Sequence, residues 1–170
     1  CAGHRPYWYS LRPKQANIIT AINPFERFFF SFSRTPFAID QRLIAMRVKD
    51  GYDVELIAAL LNSAVTFLTL EMRGTPRHLG VLDLNADYLK DLRILNPNLL
   101  NDKQKSEILA AFQPLKRRPI KTIFEEVQQN DRINFDKTIF RSFGINENLL
   151  ESIYSLLTNL VNDRVSMKNK

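Results

Sequence analysis

Apolar and polar positions change their period along this chain, and the changes divide it. NIITAIN (17–23) is rich in β-branched residues and predicts a strand, and NPFE (23–26) predicts a turn, with Pro24 pre-setting φ. RFFFSFS (27–33) alternates toward its end and predicts the partner strand, with RTP (34–36) as the next break. FAIDQRLIAMRV (37–48) predicts one or two further strands, closed by KDG (49–51). Short connections between such strands imply an antiparallel or mixed sheet.

From Asp53 the period becomes helical. Leu56, Ile57, Leu60, Leu61, Ala64, Phe67 and Leu68 share one face, which predicts a single helix from Asp53 to about Met72, stopped by Gly74. A short helix over 86–92 is expected next, ended by NP (96–97). Another starts near Asn101, with Gln104 as capping-box partner and Pro114 and Pro119 limiting its end. NFDKTIFRSFG (134–144) predicts a helix with Gly144 just past its end. ENLLESIYSLLTNLVNDRV (147–165) predicts a long one with Leu149, Leu150, Ile153, Leu156, Leu157, Leu160 and Val161 as its apolar stripe. The expectation is an α+β fold: a mixed or antiparallel sheet with packed helices over residues 1–100, and a helical segment over 101–170 packed on it.

Composition narrows the chemistry. The 170 residues fit one domain or one with a small appendage, and 45% hydrophobic residues can build a core. The only cysteine is Cys1, which excludes an intrachain disulfide and points to a reducing, cytoplasmic setting; no run of 18 apolar residues exists to span a membrane. The net charge is +6, with +5 in residues 1–50, −2 in 51–100 and +3 in 101–170. That balance admits a polyanionic partner without demanding one.

Catalytic signatures are missing. The chain has no glycine-rich nucleotide loop, no nucleophile elbow and no E-x-K, and His4, His78 and Cys1 cannot build a zinc site. Asp83, Asp87 and Asp91 cluster as a carboxylate-only Mg²⁺ site would, but they recur at i, i+4, i+8, the spacing of a solvated helix face, which is the favoured reading. The stretch that stands out is MRGTPRHLG (72–80), where a buried helix runs into a basic loop with two glycines. Arg73, Thr75, Arg77 and His78 are candidate DNA-facing residues there, with Gly74 and Gly80 allowing close approach to phosphate. Arg27 and Arg34 flank the aromatic strand, and Lys116, Arg117 and Arg118, with Lys121, form the densest basic cluster. That cluster suits either phosphate or the negative end of a helix dipole. Tyr7, Trp8 and Tyr9 are expected to pack onto the core or onto a further domain.

The order of FAIDQRLIAMRV, ELIAALLNSAVTFLTLEMRG and GVLDLNADYLKDLRILNP resembles the target-recognition region of bacterial adenine-specific DNA methyltransferases, including the fused restriction–modification enzymes. A similar helix–NS–helix–glycine arrangement occurs in type I specificity subunits, and DRINFDKTIFRSFGINENLLESIYSLLTNLVNDRV resembles the C-terminal helices of the fused enzymes. The resemblance covers about residues 5–165. It implies sequence-specific recognition of double-stranded DNA by a chain that is not catalytic by itself and holds no cofactor. S-adenosylmethionine would belong to a methyltransferase domain on the N-terminal side. The alternative is a protein-interaction module that docks through its C-terminal helix.

Overall fold

The computed structural model describes residues 15–39, 42–84 and 86–166; the expectation for Tyr7, Trp8 and Tyr9 lies outside them. The fold is α+β. Strand β1 (Gln15–Ala21) sits between β2 (Ser31–Ala38) and β3 (Leu43–Met46), both antiparallel to it. Ala16, Ile18 and Thr20 alternate inward and are buried, and their neighbours Phe32 and Ile44 point the same way.

Two readings of the first strands need correction. Arg27–Phe30 is irregular rather than strand, although Phe28 and Phe30 are buried. Its backbone is held by side chains instead: Thr20 Oγ1 donates to the Phe29 carbonyl at 2.7 Å. Asn62 receives the Phe30 N–H at 3.0 Å and donates to its carbonyl at 2.8 Å. Nor does RTP break the strand. Ile18 faces Phe32 and Ala16 faces Phe37, so β2 uses five residues where β1 uses two. The surplus forms a bulge on an edge strand, where Pro36 forfeits no ladder bond.

The expected single helix over 53–72 is two: α1 (Val54–Leu61), capped by Asp53, and α2 (Ala64–Arg73), capped by Ser63, bent by 61°. The apolar period runs through the bend because both helices are interior, and periodicity reports burial, not continuity. The bend is fastened by buried polar groups. Asn62 Nδ2 also donates to the Ala58 carbonyl, Asp136 accepts the Ala64 N–H at 2.9 Å, and Arg132 donates to the Asn62 carbonyl at 2.6 Å. No single helix among the described residues is long and apolar enough to cross a membrane.

After Gly74 comes a hairpin of β4 (Thr75–Arg77) and β5 (Val81–Asp83). Leu82 and Leu84 donate to the carbonyls of Pro24 and Ile22, which ties the hairpin to the exit of β1. Helix α3 (Ala86–Lys90) is short; α4 (Asp102–Arg117) starts with the expected Asn101–Gln104 capping box. Pro114 does not end α4. It lies exposed one turn from the end and forfeits a single N–H bond, while Phe112 and Leu115 still reach the core. Helix α5 (Ile123–Glu126) precedes α6 (Asn130–Ser142), which begins a turn earlier than expected. Gly144 (φ 66°) closes α6, with its N–H on the Arg141 carbonyl and that of Ile145 on Phe140, a Schellman motif.

Helix α7 (Leu149–Ser166) is rotated from the expected stripe. Leu150, Leu157, Val161 and Arg164 are buried, whereas Leu149 and Leu156 are 49% and 46% exposed. Two apolar clusters result. One joins Ile18, Phe28, Phe67 and Leu82 to Ile123, Leu157 and Val161; the other joins Leu56 and Leu60 of α1 to Phe112, Phe135, Phe140 and Leu150. Each draws on residues from both sides of position 100.

Candidate functional site

The β4–β5 hairpin is mounted stiffly. Arg164, 2% exposed, meets both oxygens of Glu71 at 2.7 and 3.0 Å, and donates to the carbonyls of Phe25 (2.7 Å) and Gly80. The two glycines have a packing role of their own. A Cβ on Gly80 would lie 2.8 Å from Val165 Cα, and one on Gly74 would lie 2.6 Å from Leu82 Cδ1. Both are small because the chain packs against itself there.

On this mount the candidates separate. Arg73 donates to the Asp91 carbonyl at 2.9 Å. Arg77 places Nε and Nη2 on one oxygen of Asp83, at 3.0 and 2.8 Å, and Asn23 holds the other oxygen. The guanidinium is thereby oriented, yet Nη1 and one Nη2 hydrogen remain free, and the side chain is 63% exposed. His78 is exposed beside it, and Thr75 is half-buried. Asp83, Asp87 and Asp91 face different partners: Arg77, Lys90 and, through the backbone, Arg73.

The second basic cluster is consumed within the fold. All five N–H donors of Arg118 are engaged: by Asp131 at 2.6 and 3.1 Å, Glu126 at 2.7 and 2.8 Å, and the Pro119 carbonyl at 3.2 Å. None remains for phosphate. Lys116 and Arg34 both bind Glu55, the latter at 2.8 Å and largely exposed. Arg117 is exposed and joins no ion pair or hydrogen bond among the described residues; Arg27 is exposed and lies within Coulomb reach of Glu125. Sequence reasoning saw the charges here but not the acids, which come from α1, α5 and α6.

Beside this network a half-open cavity of about 260 Å³ is lined by Phe29, Phe32, Phe112, Lys116, Arg118 and Glu126 among others. Arg132 lies near its floor between the rings of Phe67 and Phe135, 5.3 and 5.5 Å from their centres. The cavity lining carries Lys116, Arg118 and Arg132 against Glu126. The cations are paired with Glu126 or with Glu55, Asp131 and Asp136 outside the lining, so their donors are largely committed within the fold.

Exposed cations outside the expected set flank β3: Arg42, Arg47 and Lys49 make no ion pair among the described residues. Their density in the sequence was the available signal. The described residues hold 19 Lys/Arg and 17 Asp/Glu, so +4 of the net +6 falls on the remaining positions.

These ion pairs set an acid limit. Lys116 and Arg34 hold Glu55 below the usual glutamate range, and Arg118 does the same to Asp131. Burial pushes Glu126 up, but Arg118, the Lys121 N–H and Arg132 together bring it below. Depressed carboxyl groups contribute stability above their unfolded values, near 4.5 for Glu and 3.8 for Asp, and lose it as pH falls through the folded ones. Asp136, raised by burial, works in the opposite sense. Urea midpoints are expected to fall steadily below about pH 4.5, and a flat profile down to pH 3 would contradict the network.

Compared with known proteins, the chain matches no family model, no curated protein and no solved structure.

Proposed function

We propose that the chain recognises double-stranded DNA in a sequence-specific manner, as the recognition part of an adenine methyltransferase or methylase–nuclease, and that the β4–β5 hairpin touches the duplex. The observation that carries this reading is Arg77: an exposed guanidinium with free donors, oriented by Asp83 on a hairpin fixed by Arg164 and Glu71. Base readout needs such a side chain held in place before DNA arrives. The resemblance in the sequence supports it, and its NS pair, Asn62–Ser63, is the knuckle that orients α2 toward the hairpin. Arg73, Thr75, His78, Arg27, Arg34 and Arg117 are left as weaker contacts to phosphate. Methyl transfer is assigned to a separate domain that binds S-adenosylmethionine.

Duplex binding by wild type and Arg77→Ala, measured over a random pool at two salt concentrations, tests this. A base-reading Arg77 contributes roughly 1–3 kcal/mol at one position, so its loss relaxes that position; a phosphate contact instead lowers the salt slope by about one unit. Equal affinities and slopes for both proteins would remove the hairpin from the interface.

The second reading, a protein-docking C-terminal helix, is favoured by Leu149 and Leu156. Both stand exposed on α7 beside half-buried Ile153 and Leu160.

A further inference from the structure

Leu79, at the hairpin tip, combines two features that the fold itself does not use. It is the one non-glycine residue with positive φ among the described residues (φ 66°, ψ 19°) and it is 64% exposed. In the left-handed region a Cβ crowds the following carbonyl, which glycine or asparagine would relieve. Burial of the leucine does not offset this crowding. The conformation is imposed from below. Gly80 is pressed against Val165 and Phe25, and Arg164 holds its carbonyl, so the backbone at 79–80 has little freedom to relax. The exposed residues leading up to the tip are Pro76, Arg77 and His78, two of them nitrogen donors.

A rigid apolar side chain presented beside donors is the arrangement that unstacks a base step, where a wedge enters the stack and flanking donors hold the strands. We infer that Leu79 is such a wedge and that bound duplex DNA is opened at one step next to the position touched by Arg77. The inference rests on the DNA-recognition reading and adds a deformation to it. Backbone strain kept at an exposed position is accounted for if the side chain must already point at its target. The wedge also predicts preference for a flexible pyrimidine–purine step at that place, because such steps unstack most readily.

The test begins with duplexes that the wild-type protein selects from a random pool. These are then synthesised with 2-aminopurine at successive positions. Wild type is expected to raise the fluorescence at one step. Leu79→Ala, which keeps the strain but removes the bulk, is expected to abolish that rise and weaken binding roughly tenfold. Leu79→Met, which keeps an apolar side chain, is expected to restore both. Leu79→Gly removes bulk and strain together and should melt no lower than wild type while binding as poorly as Leu79→Ala, which separates loss of the wedge from loss of the fold. Selection of no duplex by wild type would overturn the recognition reading and the wedge together. Selected duplexes without an unstacked step, or bound and unstacked equally by wild type and Leu79→Ala, would overturn the wedge alone.

Discussion

Replacing Arg164 with alanine is expected to destabilise the fold by about 3–5 kcal/mol, because it leaves the other half of a buried ion pair without its partner. Glu71 is 8% exposed and would keep a charge with nothing to balance it. The carbonyls of Phe25 and Gly80 would lose their donor as well. Arg164 joins the end of α7 to α2, to the turn after β1 and to the hairpin, so one substitution loosens four parts of the chain. Urea unfolding of Arg164→Ala measures the loss. The variant Arg164→Ala with Glu71→Leu should recover part of it, since the stranded carboxylate is gone. A loss below about 1 kcal/mol in the single variant would mean that water replaces the guanidinium and that the hairpin mount is soft.

The second large effect separates neighbours on α7. Leu157→Ala is expected to lose about 2–5 kcal/mol, since Leu157 is fully buried in the cluster with Phe67 and Leu82. Leu156→Ala should change stability by less than about 0.5 kcal/mol, the usual range for surface positions. Chemical denaturation of both variants decides. A large loss at Leu156 would show that its side chain is buried by the fold, and would remove the exposed patch on which the docking reading of this helix rests.

That pair shows why the sequence misplaced the stripe. Seven apolar residues between Leu149 and Val161 fill more than one face, and any of several rotations would bury most of them. The choice among rotations came from Arg164 and Tyr154. Arg164 must meet Glu71, and the Tyr154 hydroxyl donates to Asp136 at 2.8 Å, which turns Leu156 outward. Helix ends were better read, because caps are local chemistry: Asp53, Asn101–Gln104 and Gly144 act within a few residues of themselves. The break at Asn62–Ser63 was also a local signal, a serine N-cap inside an apolar run, but an unbroken period outweighed it.

For the candidate site the division is sharper. The basic loop at 72–80 was visible because glycine, proline and arginine interrupt an apolar helix. The sequence favoured Arg77 over Arg118 by its loop setting, but it did not show which of the two keeps free donors. One keeps free donors because its acid lies on the same short hairpin and takes only one edge of the guanidinium. The other has none because α5 and α6 bring two carboxylates around it.

By itself the amino-acid sequence determined the elements whose causes are short-range: the first strand, the capped helix starts, the glycine stop after α6 and the α+β class that follows from their order. Only the tertiary structure decided the 61° bend, the rotation of α7, the inward role of Gly74 and Gly80, and which cations stay free. The bend, the rotation of α7 and the packing of Gly80 rest on partners far apart along the chain, as in Asn62 with Arg132, Glu71 with Arg164 and Phe25 with Arg164. Gly74 with Leu82 and Arg118 with Glu126 and Asp131 are nearer in sequence but meet only because the chain turns back there. Residue type and spacing carry no record of such pairings, because they exist only once the apolar clusters have brought the helices and the sheet together.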